Sequence, residues 1–243
     1  MKVLILAGGK GTRFMEESKR IPKPMIRILD KPMIFYIIEH YFRYGYDDFV
    51  ILGGEKIEYI VNYFDKNFQI VDKAINKYKI NDTFTVQILD TERESMTGGR
   101  IKIAVEKLKL KEFMVTYGDG ICDVNIQKLE DFFRSKDKIA TVTGVKPPAR
   151  FGNLSIKGDY VTSFNEKIVD DEEYINGGYF VMKSGVIDYI DNNLISLENE
   201  PMNELSKKGE LTIFRHNGYF QPVDTIREKE VLEKYLLENI NDQ

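Results

Sequence analysis

A short, wholly apolar run near the start of the chain, Val3-Leu4-Ile5-Leu6, leads almost directly into glycines at positions 8, 9 and 11. An apolar run of this length predicts a strand that is buried on both faces, as in a parallel sheet. Glycine permits positive φ and adds no side-chain bulk, so the backbone N–H groups that follow can converge on phosphate oxygens. Thr12 and Arg13 add a hydroxyl and a planar cation. The pattern favours a polyphosphate site at the carboxyl end of a strand.

Glycines after a strand also form ordinary turns, so the cluster alone does not decide between a turn and an anion site. Two familiar fingerprints fit poorly. No lysine followed by serine or threonine closes a Walker loop here, and Phe14 lies where the dinucleotide-binding pattern has its third glycine. The sequence therefore disfavours both a conventional phosphate-loop hydrolase and a nicotinamide-dependent dehydrogenase.

The composition indicates a globular protein with small-molecule partners. Of its 243 residues, 42% are hydrophobic and 30% are charged, which is unlike a disordered chain. The formal net charge of -4 gives no electrostatic reason to expect nucleic acid or an anionic membrane as partner. A single cysteine, Cys122, excludes an internal disulfide and a cysteine-rich zinc site. We find no signal peptide or transmembrane pattern and expect a cytoplasmic protein.

Apolar spacing alternates between the periods of strands and helices along the first part of the chain. Strands are predicted at residues 3–6, 48–53, 84–89, 113–117 and 140–145, and helices at 31–44, 56–64, 98–109 and 126–135. This alternation predicts an α/β fold, a Rossmann-like and mostly parallel sheet flanked by helices. Ligands of such sheets bind beyond the carboxyl ends of the strands, where the glycine motifs lie.

From residue 154 the predicted strands become shorter, which indicates a smaller, β-rich subdomain. They cover residues 154–156, 160–164, 179–182 and 211–215, and a closing helix is predicted at 227–239. We divide the chain into residues 1–146 and residues 147–243, with the second portion fused to the first. The polar segment 65–82 has no clear period and is interpreted as a mobile excursion.

A second chemical motif, Tyr117-Gly118-Asp119-Gly120, follows the strand predicted at 113–117. Gly-Asp-Gly is also a favourable turn sequence. However, Asp119 would emerge at the same sheet edge as the glycine loop, where a carboxylate can hold Mg²⁺ against a polyphosphate. Asp224 is the candidate for a second ligand. Considered alone, Asp224 is more typical of a helix N-cap, because a helical pattern follows it.

These residues together resemble the sugar-1-phosphate nucleotidylyltransferase family, whose members join a sugar phosphate to a nucleoside triphosphate and release pyrophosphate. The resemblance includes residues 6–13, Pro22-Lys23-Pro24-Met25, the Gly-Asp-Gly aspartate and Pro222-Val223-Asp224-Thr225. Further strings are most similar to the cytidylyltransferase branch of that family: residues 95–100, 147–152, 164–167, 175–178 and 216–222. The resemblance extends from Met1 to about Glu230.

The resemblance implies a role for each matching position. The triphosphate would be bound by Leu6, Ala7, Gly8, Gly9, Gly11, Thr12 and Arg13, with Lys23 near the α-phosphate. The base pocket would be formed by Ser95, Met96, Thr97 and Gly98. The sugar phosphate would be bound by Gly152, Glu166, Lys167, Asn176 and Gly177. Asp119 and Asp224 would hold Mg²⁺, and Arg13, Lys23 and Asp119 would be the catalytic residues.

Several of these residues also have a purely structural interpretation. Glu166 and Lys167 form a dipeptide of the kind that is usually a solvated charge pair, and residues 176–178 form a sequence typical of a hairpin turn. His40 lies within a helical pattern and is interpreted as structural. His216 precedes the motif that carries Asp224 and is left open as a substrate contact.

The resemblance implies CTP and α-D-glucose 1-phosphate as substrates, CDP-glucose as product, Mg²⁺ as cofactor and a homo-oligomer. Residues 1–146 would then be the nucleotide-binding core, and residues 147–243 the portion that binds the sugar phosphate. Three positions depart from the family pattern. Ile168 replaces the proline usual after the sugar lysine, which bears on the acceptor, and Ile21 replaces a second lysine of the cytidylyltransferase pattern. Glu92 replaces a glycine before the base pocket, which bears on the choice of base. The alternatives are another nucleotide or phosphorylated acceptor, or a nucleotide-sugar-binding regulator without turnover.

Overall fold

The computed structural model describes residues 1–9, 21–147, 152–157, 160–166 and 173–239. The strands described there are β1 (Lys2–Leu6), β2 (Arg27–Ile28), β3 (Lys31–Pro32), β4 (Asp48–Gly53), β5 (Gln69–Asp72), β6 (Lys77–Ile80), β7 (Phe84–Asp90), β8 (Glu112–Tyr117), β9 (Gly120–Cys122), β10 (Ala140–Val145), β11 (Gly152–Lys157), β12 (Tyr160–Glu166), β13 (Ile175–Lys183), β14 (Leu211–His216) and β15 (Phe220–Pro222). The α-helices are α1 (Met33–Phe42), α2 (Ile57–Asn67), α3 (Thr97–Leu108), α4 (Ile126–Lys136), α5 (Glu200–Lys207) and α6 (Ile226–Glu238). Two 3₁₀-helices cover Lys23–Met25 and Ser184–Tyr189.

The central sheet has the strand order β14-β10-β13-β8-β1-β4-β7-β6-β5. Its middle strands β8, β1, β4 and β7 are parallel, and β14 is parallel to β10. Strand β13 is antiparallel to both of its neighbours. At the other edge, β6 is antiparallel to β7, and β5 is antiparallel to β6. The predicted Rossmann-like α/β class is confirmed, with a sheet that is mixed towards its edges.

The chain order creates a switch point at β1. From β1 the chain forms β4, continues to the edge strands β5 and β6, fills the gap with β7, and then returns to the opposite side of β1 to form β8. Helices α1 and α4, which follow β1 and β8, pack on one face of the sheet, and α3, which follows β7, packs on the other. A crevice opens beyond the carboxyl ends of these strands. Gly8 and Gly9 after β1 and Asp119 after β8 line this crevice.

Two apolar layers cover the sheet, and alternate residues of β1 belong to different layers. Val3 and Ile5 pack with residues of α1, α2 and α4, whereas Leu4 and Leu6 pack with residues of α3 and α5. All four are buried. Because successive side chains of a strand point to opposite faces, a strand covered on both sides must be apolar throughout. This explains why the opening run has no polar position.

A third apolar cluster attaches the C-terminal helix to the sequence that follows Lys23. Leu232 and Leu236 of α6 pack with Ile26, Ile28 and Met33. Val223 belongs to the same cluster and is fully buried. This packing brings the start of α6 to the edge of the crevice, although about 200 residues separate the two segments.

Residues 65–82 were interpreted as a mobile excursion without a clear period, but most of this segment forms regular secondary structure. Helix α2 continues to Asn67, and β5 and β6 form a hairpin that extends the sheet. Tyr78 is fully buried, its ring lies 5.4 Å from that of Phe64, and its hydroxyl donates to Asp65 Oδ1 over 2.8 Å. Alternate positions of β6 are buried, but its lysines obscure this pattern in the sequence. Tertiary packing therefore decides the structure of this segment.

Strands from both sides of the predicted division at residue 147 share the central sheet, since β13 and β14 flank β10. The sequence analysis did not predict α5, the second 3₁₀-helix or the short ladder between β9 and β15. Residues 176–178 lie within β13, so their interpretation as a hairpin turn was wrong. In the described part of the chain, no helix has both the length and the apolar character needed to cross a membrane.

Replacing Gly99 with alanine is expected to destabilise the fold, because a Cβ there would lie 2.1 Å from the backbone oxygen of Asn193. Helix propensity alone would favour alanine by about 1 kcal/mol, so the clash must outweigh that gain. We expect the free energy of unfolding, measured in urea, to fall by about 1–3 kcal/mol. Gly185→Ala is the control, because its Cβ would meet Ile139 at an ordinary 3.7 Å. Equal stability of the two variants would contradict this account.

Candidate active site

A cavity of about 760 Å³ opens beyond the carboxyl ends of β1, β7 and β8. This volume lies within the range of small-molecule sites. Its lining includes predicted residues from each part of the proposed site: Leu6, Ala7, Gly8, Gly9, Lys23, Ser95, Met96, Thr97, Asp119, Asn176 and Asp224. Residues that were not predicted also line it: Pro24, Arg93, Glu94, Arg100, Tyr117 and Glu198.

Other predicted residues are placed differently. Gly11, Thr12, Arg13 and Lys167 lie outside the described residues. Gly152 and Glu166 are paired across the ladder of β11 and β12, where the description is limited to the backbone. Gly98 and Gly177 are not among the residues that line the cavity. Both are tightly packed, because a Cβ at Gly98 would meet the backbone of Ile195 and one at Gly177 would meet Val145.

Lys23 occupies the centre of the charged part of the cavity. Its ammonium donates to Asp119 Oδ2 over 2.7 Å and to Asp224 Oδ1 over 2.5 Å. The lysine side chain is 13% exposed. Burial lowers its pKa, but the two carboxylates outweigh burial and raise the pKa above its usual value. Lys23 is therefore positively charged throughout the neutral range.

Two short segments fix Lys23 in this position. Prolines on both sides of Lys23 favour the 3₁₀ turn, which is closed by a hydrogen bond from Met25 N to Pro22 O over 2.8 Å. Pro24 packs against Gly118, where a Cβ would lie 2.6 Å from the proline ring. The glycine before Asp119 thus permits the close approach that brings lysine and carboxylate together.

Asp119 and Asp224 are brought side by side by the ladder of β9 and β15. Val223 N donates to Asp119 O over 2.9 Å, and Gly120 pairs with Pro222. The N-cap of α6 is Thr225, whose hydroxyl accepts from Glu228 N over 3.2 Å. Asp224 therefore lies just outside the helix, and its carboxylate contacts Lys23.

The donor set at this point fits a divalent cation. Asp119 and Asp224 provide hard carboxylate oxygens, the ligands that Mg²⁺ prefers in proteins. Both carboxylates are partly exposed at the cavity, and both already share one positive group, the ammonium of Lys23. A position where two carboxylates converge on one cation is electrostatically suited to a metal ion.

Arg100 binds the backbone at the start of the glycine loop, a role that was not predicted from the sequence. Its guanidinium is 3% exposed. It donates to Gly8 O, Gly53 O and Glu92 O, each over 2.9 Å, and to Thr91 Oγ1 over 2.8 Å. These acceptors follow β1, β4 and β7, so one side chain fixes the ends of three strands. The five N–H donors of arginine suit this arrangement.

The predicted base pocket lies at the start of α3, against the segment 193–198. Met96 N donates to Asn193 O over 2.9 Å, and Met96 is 47% exposed, which leaves an apolar side chain at the cavity. Thr97 Oγ1 donates to Glu198 Oε2 over 2.6 Å and accepts from Leu197 N over 2.8 Å. The hydroxyl hydrogen of Thr97 is thus directed at the protein rather than at a ligand.

The opposite side of the cavity combines Tyr117 with the predicted sugar floor. Asn176 Nδ2 donates to the hydroxyl of Tyr117 over 3.0 Å, and Asn176 Oδ1 accepts from Gly178 N over 2.8 Å. Gly178 has a φ of +78°, and a Cβ there would lie 2.4 Å from the ring of Tyr117. Glycine at position 178 is needed for this contact. The only signal in the sequence for a role of Tyr117 was its position at the end of a predicted strand.

Neither histidine lines the cavity. His40 Nε2 lies 2.8 Å from Val124 O, and burial lowers the pKa of this histidine. His216 Nε2 lies 2.7 Å from Asp123 Oδ1. Burial also raises the pKa of the Cys122 thiol to about 12, so this cysteine is protonated at neutral pH.

Comparison with known proteins agrees with this geometry. A family model described as nucleotidyl transferase matches residues 2–214. Glucose-1-phosphate cytidylyltransferase of Salmonella typhimurium is 43% identical over 96% of this chain and 95% of its own length. A probable glucose-1-phosphate cytidylyltransferase of Bacillus subtilis is 36% identical over 93% and 92%. The crystal structure of HddC from Yersinia pseudotuberculosis superimposes with a TM-score of 0.73 and 26% identity, covering 97% of this chain and 99% of that one. The chain belongs to the nucleotidyl transferase family.

Proposed function

We propose that this chain is a glucose-1-phosphate cytidylyltransferase, which joins CTP and α-D-glucose 1-phosphate to give CDP-glucose and pyrophosphate. The observation that carries the proposal is the contact of Lys23 with Asp119 and Asp224 at the mouth of one cavity. The two relatives with this name, similar over more than 90% of the chain, support the choice of substrates.

The reaction requires two anions to meet. An oxygen of the sugar phosphate attacks the α-phosphorus and forms a new P–O bond. The bond from that phosphorus to the bridging oxygen breaks, and its electron pair leaves with pyrophosphate. Two unit charges about 4 Å apart repel each other by about 4 kcal/mol at an effective dielectric constant of 20. The site must therefore supply positive charge before it can position the reactants.

Lys23 is the described residue best placed to supply that charge. Its raised pKa keeps the ammonium protonated, and it lines the cavity together with Gly8, Gly9 and Asp119. Mg²⁺ held by Asp119 and Asp224 would neutralise charge that develops on the α-phosphate and on the leaving group. The attacking oxygen is already ionised near neutral pH, so no side chain needs to remove a proton. Catalysis then consists of positioning and charge stabilisation.

The other predicted residues complete the proposal. Gly8 and Gly9 present backbone at the end of β1, and we propose that Gly11, Thr12 and Arg13 continue this phosphate-binding loop. Lys167, together with Glu166, would bind the sugar phosphate. Residues 1–146 would form most of the nucleotide site, and residues 147–243 would add Asn176 and Asp224. We also propose that the protein is cytoplasmic and that it forms a homo-oligomer. Light scattering in solution tests the oligomeric state.

The substrate proposal is tested by a pyrophosphate-release screen of CTP, UTP, GTP and dTTP against several sugar 1-phosphates in the presence of Mg²⁺. Release with CTP and glucose 1-phosphate well above all other pairs is the expected result. Stronger release with another pair would reassign the base or the acceptor. Ligand binding without release for any pair would instead support a regulator that has lost turnover.

Replacing Lys23 with methionine, or Asp119 with asparagine, should lower kcat at least about 100-fold, because each change removes a charge next to the reacting phosphates. Steady-state pyrophosphate release measures the effect, and circular dichroism checks that the fold is intact. Lys183→Met and Asp137→Asn are matched controls, since these residues pair with each other at the surface away from the cavity. Near-normal kcat in a folded Lys23 or Asp119 variant would contradict its role.

Lys23→Met should also bind Mn²⁺, used as a paramagnetic substitute for Mg²⁺, more tightly than the unaltered chain in the absence of nucleotide. The reason is that the ammonium no longer competes for Asp119 and Asp224. Electron paramagnetic resonance titration of free Mn²⁺ measures this affinity without any turnover. An affinity equal to that of the Lys183→Met control would show that the lysine and the metal ion do not compete.

Replacing Lys167 with alanine should raise the KM for the sugar phosphate and leave the KM for the nucleotide nearly unchanged. Loss of a charge-assisted contact to phosphate corresponds to an increase of about tenfold or more. Initial rates over a grid of both substrate concentrations separate the two constants. A change confined to the nucleotide KM would place Lys167 on the wrong substrate.

A further inference from the structure

Glu198 is a carboxylate of the cavity that has no part in the proposed chemistry. Glu198 lies between the predicted base pocket and the predicted sugar floor, and it lines the same cavity as Lys23. It precedes α5 and was not identified in the sequence analysis. Its two oxygens accept hydrogen bonds from opposite sides of the cavity. Oε2 accepts from Thr97 Oγ1 over 2.6 Å, and Oε1 accepts from the hydroxyl of Tyr117.

Each of these partners is connected further into its own half of the site. Thr97 begins α3 and belongs to the predicted base pocket. Tyr117 accepts from Asn176 of the sugar floor over 3.0 Å. A continuous chain of hydrogen bonds therefore runs from Thr97 through Glu198 and Tyr117 to Asn176.

The backbone around Glu198 holds this chain of bonds in place. Leu197 is fully buried, and its N–H donates to Thr97 Oγ1 over 2.8 Å. Gly99 N donates to Ile195 O over 3.3 Å, and Gly98 approaches the same segment so closely that a Cβ would lie 2.7 Å from Ile195 O. The segment that carries Glu198 is thus joined directly to the start of α3. Its carboxylate is fixed with respect to the base pocket.

We propose that Glu198 is a positioning residue that couples the nucleotide half of the site to the sugar half. Thr97 and Tyr117 both donate to this carboxylate, so the distance between them is fixed. The nucleotide half and the sugar half of the site therefore have one relative geometry before either substrate binds. This inference rests on the proposed function. A glutamine at this position removes the charge and keeps one acceptor oxygen. Its N–H₂ group can only donate, so the second hydroxyl must turn its own hydrogen away, and one charge-assisted hydrogen bond from a hydroxyl is lost.

Steady-state kinetics with both substrates varied tests the inference, with three variants that interrupt the chain of bonds at different points. Thr97→Val removes the hydrogen bond from Thr97 to Glu198, on the nucleotide side, and should raise mainly the KM for CTP. Tyr117→Phe removes the hydroxyl that joins Glu198 to Asn176, on the sugar side, and should raise mainly the KM for glucose 1-phosphate. Glu198→Gln should raise both KM values and lower kcat, each by about fivefold or more. Glu200→Gln is the matched control, with the same change of charge two residues away and outside the cavity lining.

A second measurement avoids turnover. Calorimetric titration with α,β-methylene CTP, in the presence and absence of glucose 1-phosphate, gives the coupling between the two ligands. Unaltered protein and Glu200→Gln should bind the analogue several-fold more tightly when the sugar phosphate is present, and Glu198→Gln should lose most of this gain. If Glu198→Gln matches Glu200→Gln in both experiments, the inference is wrong while the proposed function stands. Absence of pyrophosphate release by the unaltered protein would overturn the proposed function and the inference together.

Discussion

The ammonium of Lys23, shared by Asp119 and Asp224, is the interaction on which the site depends. Three charged groups from distant parts of the sequence meet within hydrogen-bond distance at the mouth of a cavity. Without the lysine, two carboxylates would face each other across a partly desolvated space, which is unfavourable unless another cation balances them. The ammonium balances one of the two negative charges, and the remaining negative charge favours a metal ion at this point. Lys23 also places positive charge where the proposed reaction needs it.

The fold assembles this cluster by general rules. The return of the chain from β7 to β8 leaves a crevice at the carboxyl ends of the central strands. Gly118 allows Pro24 to approach closely, and the packing of α6 on the hairpin of β2 and β3 brings Asp224 to the same edge. Arg100 ties the ends of three strands together beneath the glycine loop. A buried guanidinium that binds carbonyl groups stabilises a loop which would otherwise present unpaired acceptors.

The sequence predicted secondary structure correctly where the hydrophobic residues follow a single period, either that of a strand or that of a helix. Strands β4 and β10 were predicted with their observed bounds, because β4 is an apolar run that ends in glycine and β10 alternates apolar residues with threonine or glycine. It failed for β5, where every side chain is exposed, and for β6, where lysines alternate with the buried side chains. It placed Lys23, Asp119 and Asp224 in one site through family resemblance. Arg100 and Glu198 were missed because their roles arise from contacts between segments, and no local pattern encodes such contacts.

The most direct test is a crystal structure of the protein with Mg²⁺, α,β-methylene CTP and glucose 1-phosphate. Our account predicts that a metal ion contacts both Asp119 and Asp224, and that Lys23 Nζ has left at least one carboxylate to bind the α-phosphate. The sugar phosphate should lie beside Asn176, on the side of Tyr117. A nucleotide bound outside this cavity, or a fully liganded site in which Lys23 still bridges the two aspartates with no metal ion present, would contradict the account.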